Sequence, residues 1–121
     1  MDPELSSERV ADLLVGQVPE FDPLLREHLD SNGEVLQHVL FGDLTRFVLE
    51  AHRQGREELV ERCLAFLSVA LHASDVRVGE LVAVSFVENV GPWDPGVADF
   101  IASWPDALRA EAERQGWRPL G

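Results

Sequence analysis

The sequence predicts an all-α fold, a single bundle of about six helices packed around a central helix over residues 75–90. Three observations lead there. Apolar residues recur three and four apart in most segments, most clearly in REELVERCLAFLSVALH, where Leu59, Val60, Cys63, Leu64, Phe66, Leu67, Ala70 and Leu71 share one broad arc. Helix punctuation recurs as well: Asp-Pro in FDPLL and WDPGV reads as a start, and Gly33, Gly55 and Gly91-Pro92 read as stops. The one run rich enough in valine to suggest a strand, 76–90, is apolar at even and odd positions alike and is too long for a typical strand.

The helical segments follow in order. Ser6 or Ser7 offers an N-cap for a first helix over 6–15, carrying Val10, Leu13 and Leu14, and Gly16 and Pro19 end it. Asp22 caps the next, 23–30, with Pro23 at its first position and Phe21 folded over its start. After Ser31, Asn32 and Gly33 a long helix runs over 34–54. Its apolar stripe shifts from Val35, Leu36, Val39 and Leu40 to Leu44, Phe47, Val48 and Ala51, which implies either a bend at Gly42 or different neighbours for the two halves.

The helix over 56–72 places Cys63 at the centre of its apolar arc, where a thiol is inert. Ser74 and Asp75 start the central helix, whose main face is Val82, Ala83, Phe86, Val87 and Val90, with Ser85, Glu88 and Asn89 on its less apolar side. Two shorter helices, 95–103 and 105–115, complete the chain, and Gly116 caps the last. Trp93, Trp104 and Trp117 each stand within two residues of a proline, as aromatic lids at helix junctions.

Bulk properties exclude several classes of function. A chain of 121 residues matches one domain, and with 45% apolar and 26% charged residues it is composed like an ordinary globular protein. Its net charge of −12 disfavours nucleic acid and anionic membranes and steers basic protein surfaces toward it. One cysteine precludes an internal disulfide, the opening MDPELSSERV lacks a secretory core, and no apolar run approaches bilayer length. A cytoplasmic protein is expected.

No motif ties the chain to catalysis. There is no P-loop, G-x-G-x-x-G, G-x-S-x-G or H-E-x-x-H, and of the four histidines only His38 has an acidic residue, Glu34, at ligand spacing. Neither metal nor cofactor is expected, and the chain reads as a non-enzyme. The candidate contact residues are polar positions near apolar faces. Asp43 and Arg46 head a sign-alternating ladder with Glu50 and Arg53, and Asp43 falls within the early apolar stripe, where a partly buried ion pair with Arg46 is expected. Glu57, Glu58 and Glu61 form an acidic run. Ser85 and Asn89 are placed to tie helices together, with Glu88 available to a cationic partner.

LQHVLFGDLTRFVLEA at 36–51, VGELVAVSFVENV at 78–90 and the preceding FDPLLREHL resemble a family of small, acidic, all-helical bacterial proteins that is largely uncharacterised. The resemblance covers about 18–92 and leaves the tryptophan-rich tail outside. Some members are similar to immunity proteins of toxin systems, and their helix pairs pack in HEAT-like α/α fashion. The resemblance thus implies a module that blocks a basic protein partner. The alternatives are a self-associating structural or regulatory subunit, for example a homodimer, and a helical domain that binds a small molecule.

Overall fold

The computed structural model describes Ser6 and residues 8–119. The described residues form seven helices: α1 (Val10–Gln17), α2 (Asp22–Asn32), α3 (Gln37–Arg53), α4 (Glu57–Leu71), α5, α6 (Ala98–Ala102) and α7 (Asp106–Arg114). α5 is composite, consisting of Val76–Val82, a π-helical turn at Ala83–Val87 and a closing turn at Glu88–Val90. Short 3₁₀ turns, Pro19–Phe21 and Pro95–Val97, lead into α2 and α6. Among the described residues there is no strand, so the valine-rich span is helical. None of these helices is long and apolar enough to cross a membrane.

α3, α4 and α5 pack against one another at the centre. α1 and α7 cover α4, α2 lies against α3, and α7 also reaches the π-turn of α5. Their apolar faces meet in one core that includes Leu14, Phe21, Phe41, Leu44, Phe66, Leu67, Leu81, Phe86, Ile101 and Leu108. Phe21 meets Phe47 edge-on, with centroids 5.4 Å apart. Trp104 packs between Phe86 and Phe100. Trp117 closes the tail, its indole N–H donating to the Ala98 carbonyl. Trp104 and Trp117 are therefore the buried lids that the sequence suggests, whereas Trp93 is 63% exposed. Cys63 is buried, and burial pushes its thiol pKa up to about 12, well outside the reactive range.

Several boundaries differ from the sequence reading for local reasons. α1 begins at Val10 with Arg9 at its N-cap and no side-chain cap; Ser6 lies a turn earlier, and Ser7 falls outside the described residues. Asp22 does not cap α2. The Pro19–Phe21 turn feeds directly into the helix, and the Asp22 carboxylate pairs with Arg26 one turn on. Asp75 and Asp94 do cap, accepting the backbone N–H groups of Arg77 and Gly96. α2 continues to Asn32 and stops where Gly33 takes the left-handed conformation (φ 74°).

The rotated stripe on α3 does not exist. The helix starts only at Gln37, because Leu36 is held in a loop whose N–H donates to Nε2 of the buried His28. Val39 is 53% exposed, and the buried positions Leu40, Phe41, Leu44, Thr45, Val48 and Ala51 form one straight face running past Gly42 without a break. Of the four residues that set the early stripe, Val35 and Leu36 precede the helix and Val39 faces solvent, so only Leu40 belongs to the buried face.

On α5 the buried positions are Val78, Leu81, Val82, Ser85, Phe86, Val87 and Val90, while Asn89 is exposed. Ser85, Phe86 and Val87 are buried in succession where the π-turn widens the helix. Ser85, assigned to the less apolar side, stands at regular spacing from Leu81 and Val82 and lies in the core.

At Gly79, α5 crosses the end of α4 so closely that an added Cβ would stand 2.8 Å from the Leu71 carbonyl oxygen. Gly16, in α1, has nothing within 4 Å of such a Cβ. The expected outcome is that Gly79→Ala lowers unfolding free energy by about 1–3 kcal/mol and Gly16→Ala raises it by about 0.5–1 kcal/mol. Urea denaturation of the two variants beside the wild type measures both.

Candidate functional site

Two regions gather chemistry-bearing side chains, and the first is the π-turn. Its widened backbone offers carbonyls to side chains from three directions. The Ser85 carbonyl accepts Thr45 Oγ1 from α3 at 3.0 Å and Asn89 Nδ2 at 2.8 Å. The Ala83 carbonyl accepts Gln115 Nε2 from the end of α7 at 3.0 Å. The Ser85 hydroxyl lies 2.5 Å from His38 Nδ1 at the start of α3. Ser85 and Asn89 thus tie helices together, and His38, Thr45 and Gln115 complete the set. The sequence reading missed these three roles, since nothing in a single sequence marks a π-turn.

Ser85 and His38 resemble a nucleophile and base, but Ser85 is 4% exposed and neither residue lines a pocket described below. The geometry is that of a helix-to-helix tie. No group of three or more His, Cys, Asp or Glu side chains among the described residues is arranged to hold a metal ion.

The second region is a groove bounded by α3, α4 and the Pro95–Val97 turn with α6. One lobe, about 630 Å³, is lined by Arg46, Leu49, Glu50, His52, Arg53, Gly96, Val97, Asp99 and Phe100. A second, about 390 Å³, is lined by His52, Glu57, Val60, Glu61, Leu64, Asp99, Phe100 and Ser103. The lobes share His52, Asp99 and Phe100, and the His52 ring stacks on Phe100 with centroids 4.1 Å apart and planes at 22°. Asp94 creates this wall: its capping bond to the Gly96 N–H turns the chain through Pro95–Val97 into α6, which brings Asp99 and Phe100 opposite α3.

The candidate residues distribute unevenly. Arg46 lines the first lobe, and Glu57 and Glu61 line the second. Asp43 and Arg46 form the expected ion pair, but the Arg46 side chain is 72% exposed, so the pair sits at the surface beside a half-buried carboxylate rather than inside a bend. Glu58 faces away from the groove, toward Arg62 and Glu20. Glu88 and Asn89 are exposed on α5, and Ser85 is buried. His52, Asp99 and Phe100 carry no sequence signal, because they converge only through the loop between α5 and α6.

Charge pairing is largely local. Among the described residues, seven of the ten arginines, namely Arg26, Arg46, Arg53, Arg62, Arg77, Arg109 and Arg114, make ion pairs, each with a carboxylate no more than four residues away. Arg62, besides Glu58 one turn before it, grips Glu20 with both guanidinium arms and ties the Pro19–Phe21 turn to α4. That hydrogen bonding lowers the Glu20 carboxyl pKa to about 2. Glu57, Glu61 and Asp99 are not ion-paired among the described residues. The second lobe is therefore an apolar floor of Val60, Leu64 and Phe100 under an uncompensated acidic rim.

The fold and groove define a small all-α domain with an acidic surface. The chain belongs to the DUF7674 family, a domain of unknown function, whose model matches residues 11–118. The match takes in α6, α7, Trp104 and Trp117, so the tail is part of the family domain and not outside it, as the resemblance over 18–92 had implied. No curated protein and no solved structure matches the chain.

Two measurements test these contacts. Thr45→Val keeps the shape but removes the hydroxyl from the Ser85 carbonyl, so a loss of about 1 kcal/mol in unfolding free energy is expected, read from urea midpoints. Glu20→Gln is expected to destabilise the domain at pH 7. The carboxyl titrates near 4.5 when unfolded and near 2 when folded, so its contribution is complete above about pH 4.5 and is lost as pH falls toward 2. The gap between variant and wild type should close across that interval in thermal melts at stepped pH.

Proposed function

We propose that this domain is a non-enzymatic binding module whose acidic helical surface engages and blocks a basic protein partner, in the manner of an immunity protein. The observation that carries the reading is the local neutralisation of the arginines. With most cations held by neighbours in sequence, the net charge of −12 is expressed by free carboxylates on the outer faces, and Glu57 and Glu61 place two of them beside the apolar lining of a groove. Apolar floor and charged rim together are what a specific protein interface uses: the floor contributes affinity, and the rim sets register and on-rate.

The non-enzymatic part is supported by the Ser85–His38 pair, whose hydroxyl is buried and held against the imidazole as a helix-to-helix tie. Blocking in this reading is steric and electrostatic, with no chemical step. The resemblance of the 36–51 and 78–90 segments to a family with immunity-like members favours a toxin as the partner. Phosphate-bearing ligands are disfavoured by the same carboxylates.

The test is to immobilise the domain, recover its partner from native cells and reconstitute the complex from purified proteins. A partner with a basic surface, released progressively as salt rises from about 0.1 to 0.5 M, is the expected result. An acidic partner, or a complex indifferent to salt, overturns the reading, as does a salt-resistant homodimer with no other partner. Expressing the partner alone and with the domain then tests blocking: growth arrest relieved by co-expression supports it, and a harmless partner removes the immunity-type role while leaving the binding role in place.

A further inference from the structure

We infer that the two lobes meeting at the His52–Phe100 stack form one docking channel, and that its occupant is a short amphipathic segment of a basic partner, bound in one orientation. The inference rests on the binding reading above and adds to it a place and a polarity. Both follow from the unequal charge of the two lobes.

Asp99 lines both lobes, so the difference comes from the other charges. On the α4 side Glu57 and Glu61 add two carboxylates without an ion-pair partner among the described residues, and no arginine lines that lobe. On the α3 side, Arg46 and Arg53 line the other lobe, each paired to the carboxylate three residues before it, so those charges cancel. The floor is apolar throughout, with Val60 and Leu64 in one lobe, Leu49 and Val97 in the other and Phe100 between them. A segment with arginines or lysines at one end and bulky apolar side chains at the other satisfies both lobes only when its basic end lies over α4. Reversed, it would bring its cations to a lobe whose arginines already hold their neighbouring carboxylates and cover the α4 carboxylates with apolar groups, which costs desolvation without a compensating pair. Anionic lipid and nucleic acid bring phosphates to the same rim and are repelled from it.

The probe is a short synthetic peptide with lysines in one half and leucine and phenylalanine in the other, labelled with fluorescein for anisotropy and with a nitroxide at either end for NMR. Saturable binding is expected, with Glu57→Lys/Glu61→Lys weakening it by roughly tenfold or more. Charge reversal on α2 and the following loop, Glu27→Lys/Glu34→Lys, should change it by less than about twofold. A nitroxide at the basic end should broaden the amide signals of Glu57 and Glu61, and one at the apolar end those of Leu49 and Val97. Equal weakening by the two double variants would mean diffuse attraction to the whole surface and would overturn the channel, as would broadening in the opposite sense or no binding. None of these three outcomes bears on capture of a basic partner from native cells, so the two proposals fail separately.

Discussion

A helix that widens by one residue must find new partners for the carbonyls it displaces, and the packing of this domain depends on where those partners come from. At Ala83–Val87 the Ser85 carbonyl finds them in Thr45 of α3 and Asn89 of α5 itself, and the Ala83 carbonyl, which keeps the Glu88 N–H, adds Gln115 from the end of α7. Each bond alone is modest. Together they fix how α3 and the C-terminal segment sit on α5, because a buried carbonyl without a donor costs more than a satisfied one gains. The same turn buries Ser85, Phe86 and Val87 in succession, and Val90 is buried just before Gly91 takes φ 84° and ends the helix. From there the chain runs through the Pro95–Val97 turn into α6.

The groove is a consequence of this route. α6 is short and contributes Phe100 to the core and Asp99 to the rim. His52, in the last turn of α3, lies over the Phe100 ring where α6 meets α3. Two lobes result because this stack divides a single depression, and their charges differ because α3 carries its arginines paired while α4 turns Glu57 and Glu61 outward. Among the described residues the one long-range ion pair, Glu20 with Arg62, lines neither lobe and holds the turn before α2 against α4.

Local pattern was enough for much of this architecture. α4 was legible almost residue by residue, since its arc of Leu59, Val60, Cys63, Leu64, Phe66, Leu67 and Ala70 is wide, uninterrupted and wholly buried. The Asp75 and Asp94 caps and the Gly33 and Gly91 stops were legible because each acts on backbone within two or three residues of itself. Asp22 shows the limit. The same Asp-Pro grammar meets a preceding 3₁₀ turn there, and the carboxylate turns to Arg26 instead. Val35, Leu36 and Val39 show it again, being apolar at helical spacing yet drawn into or beside a loop that His28 organises from eight residues away.

By itself the sequence determined the helical class, the approximate spans, the inert cysteine and the strong negative charge, because periodicity, capping and composition act over one or two turns and need no distant contact. Only the tertiary structure decided which polar residues meet. Ser85 became a core residue, and Thr45 and His38 became its partners from forty and forty-seven residues away. His52, Asp99 and Phe100 became a wall through the path of a loop. Contacts between segments far apart in the chain depend on how helices cross, and that is a property of the packed core rather than of any local run of residues.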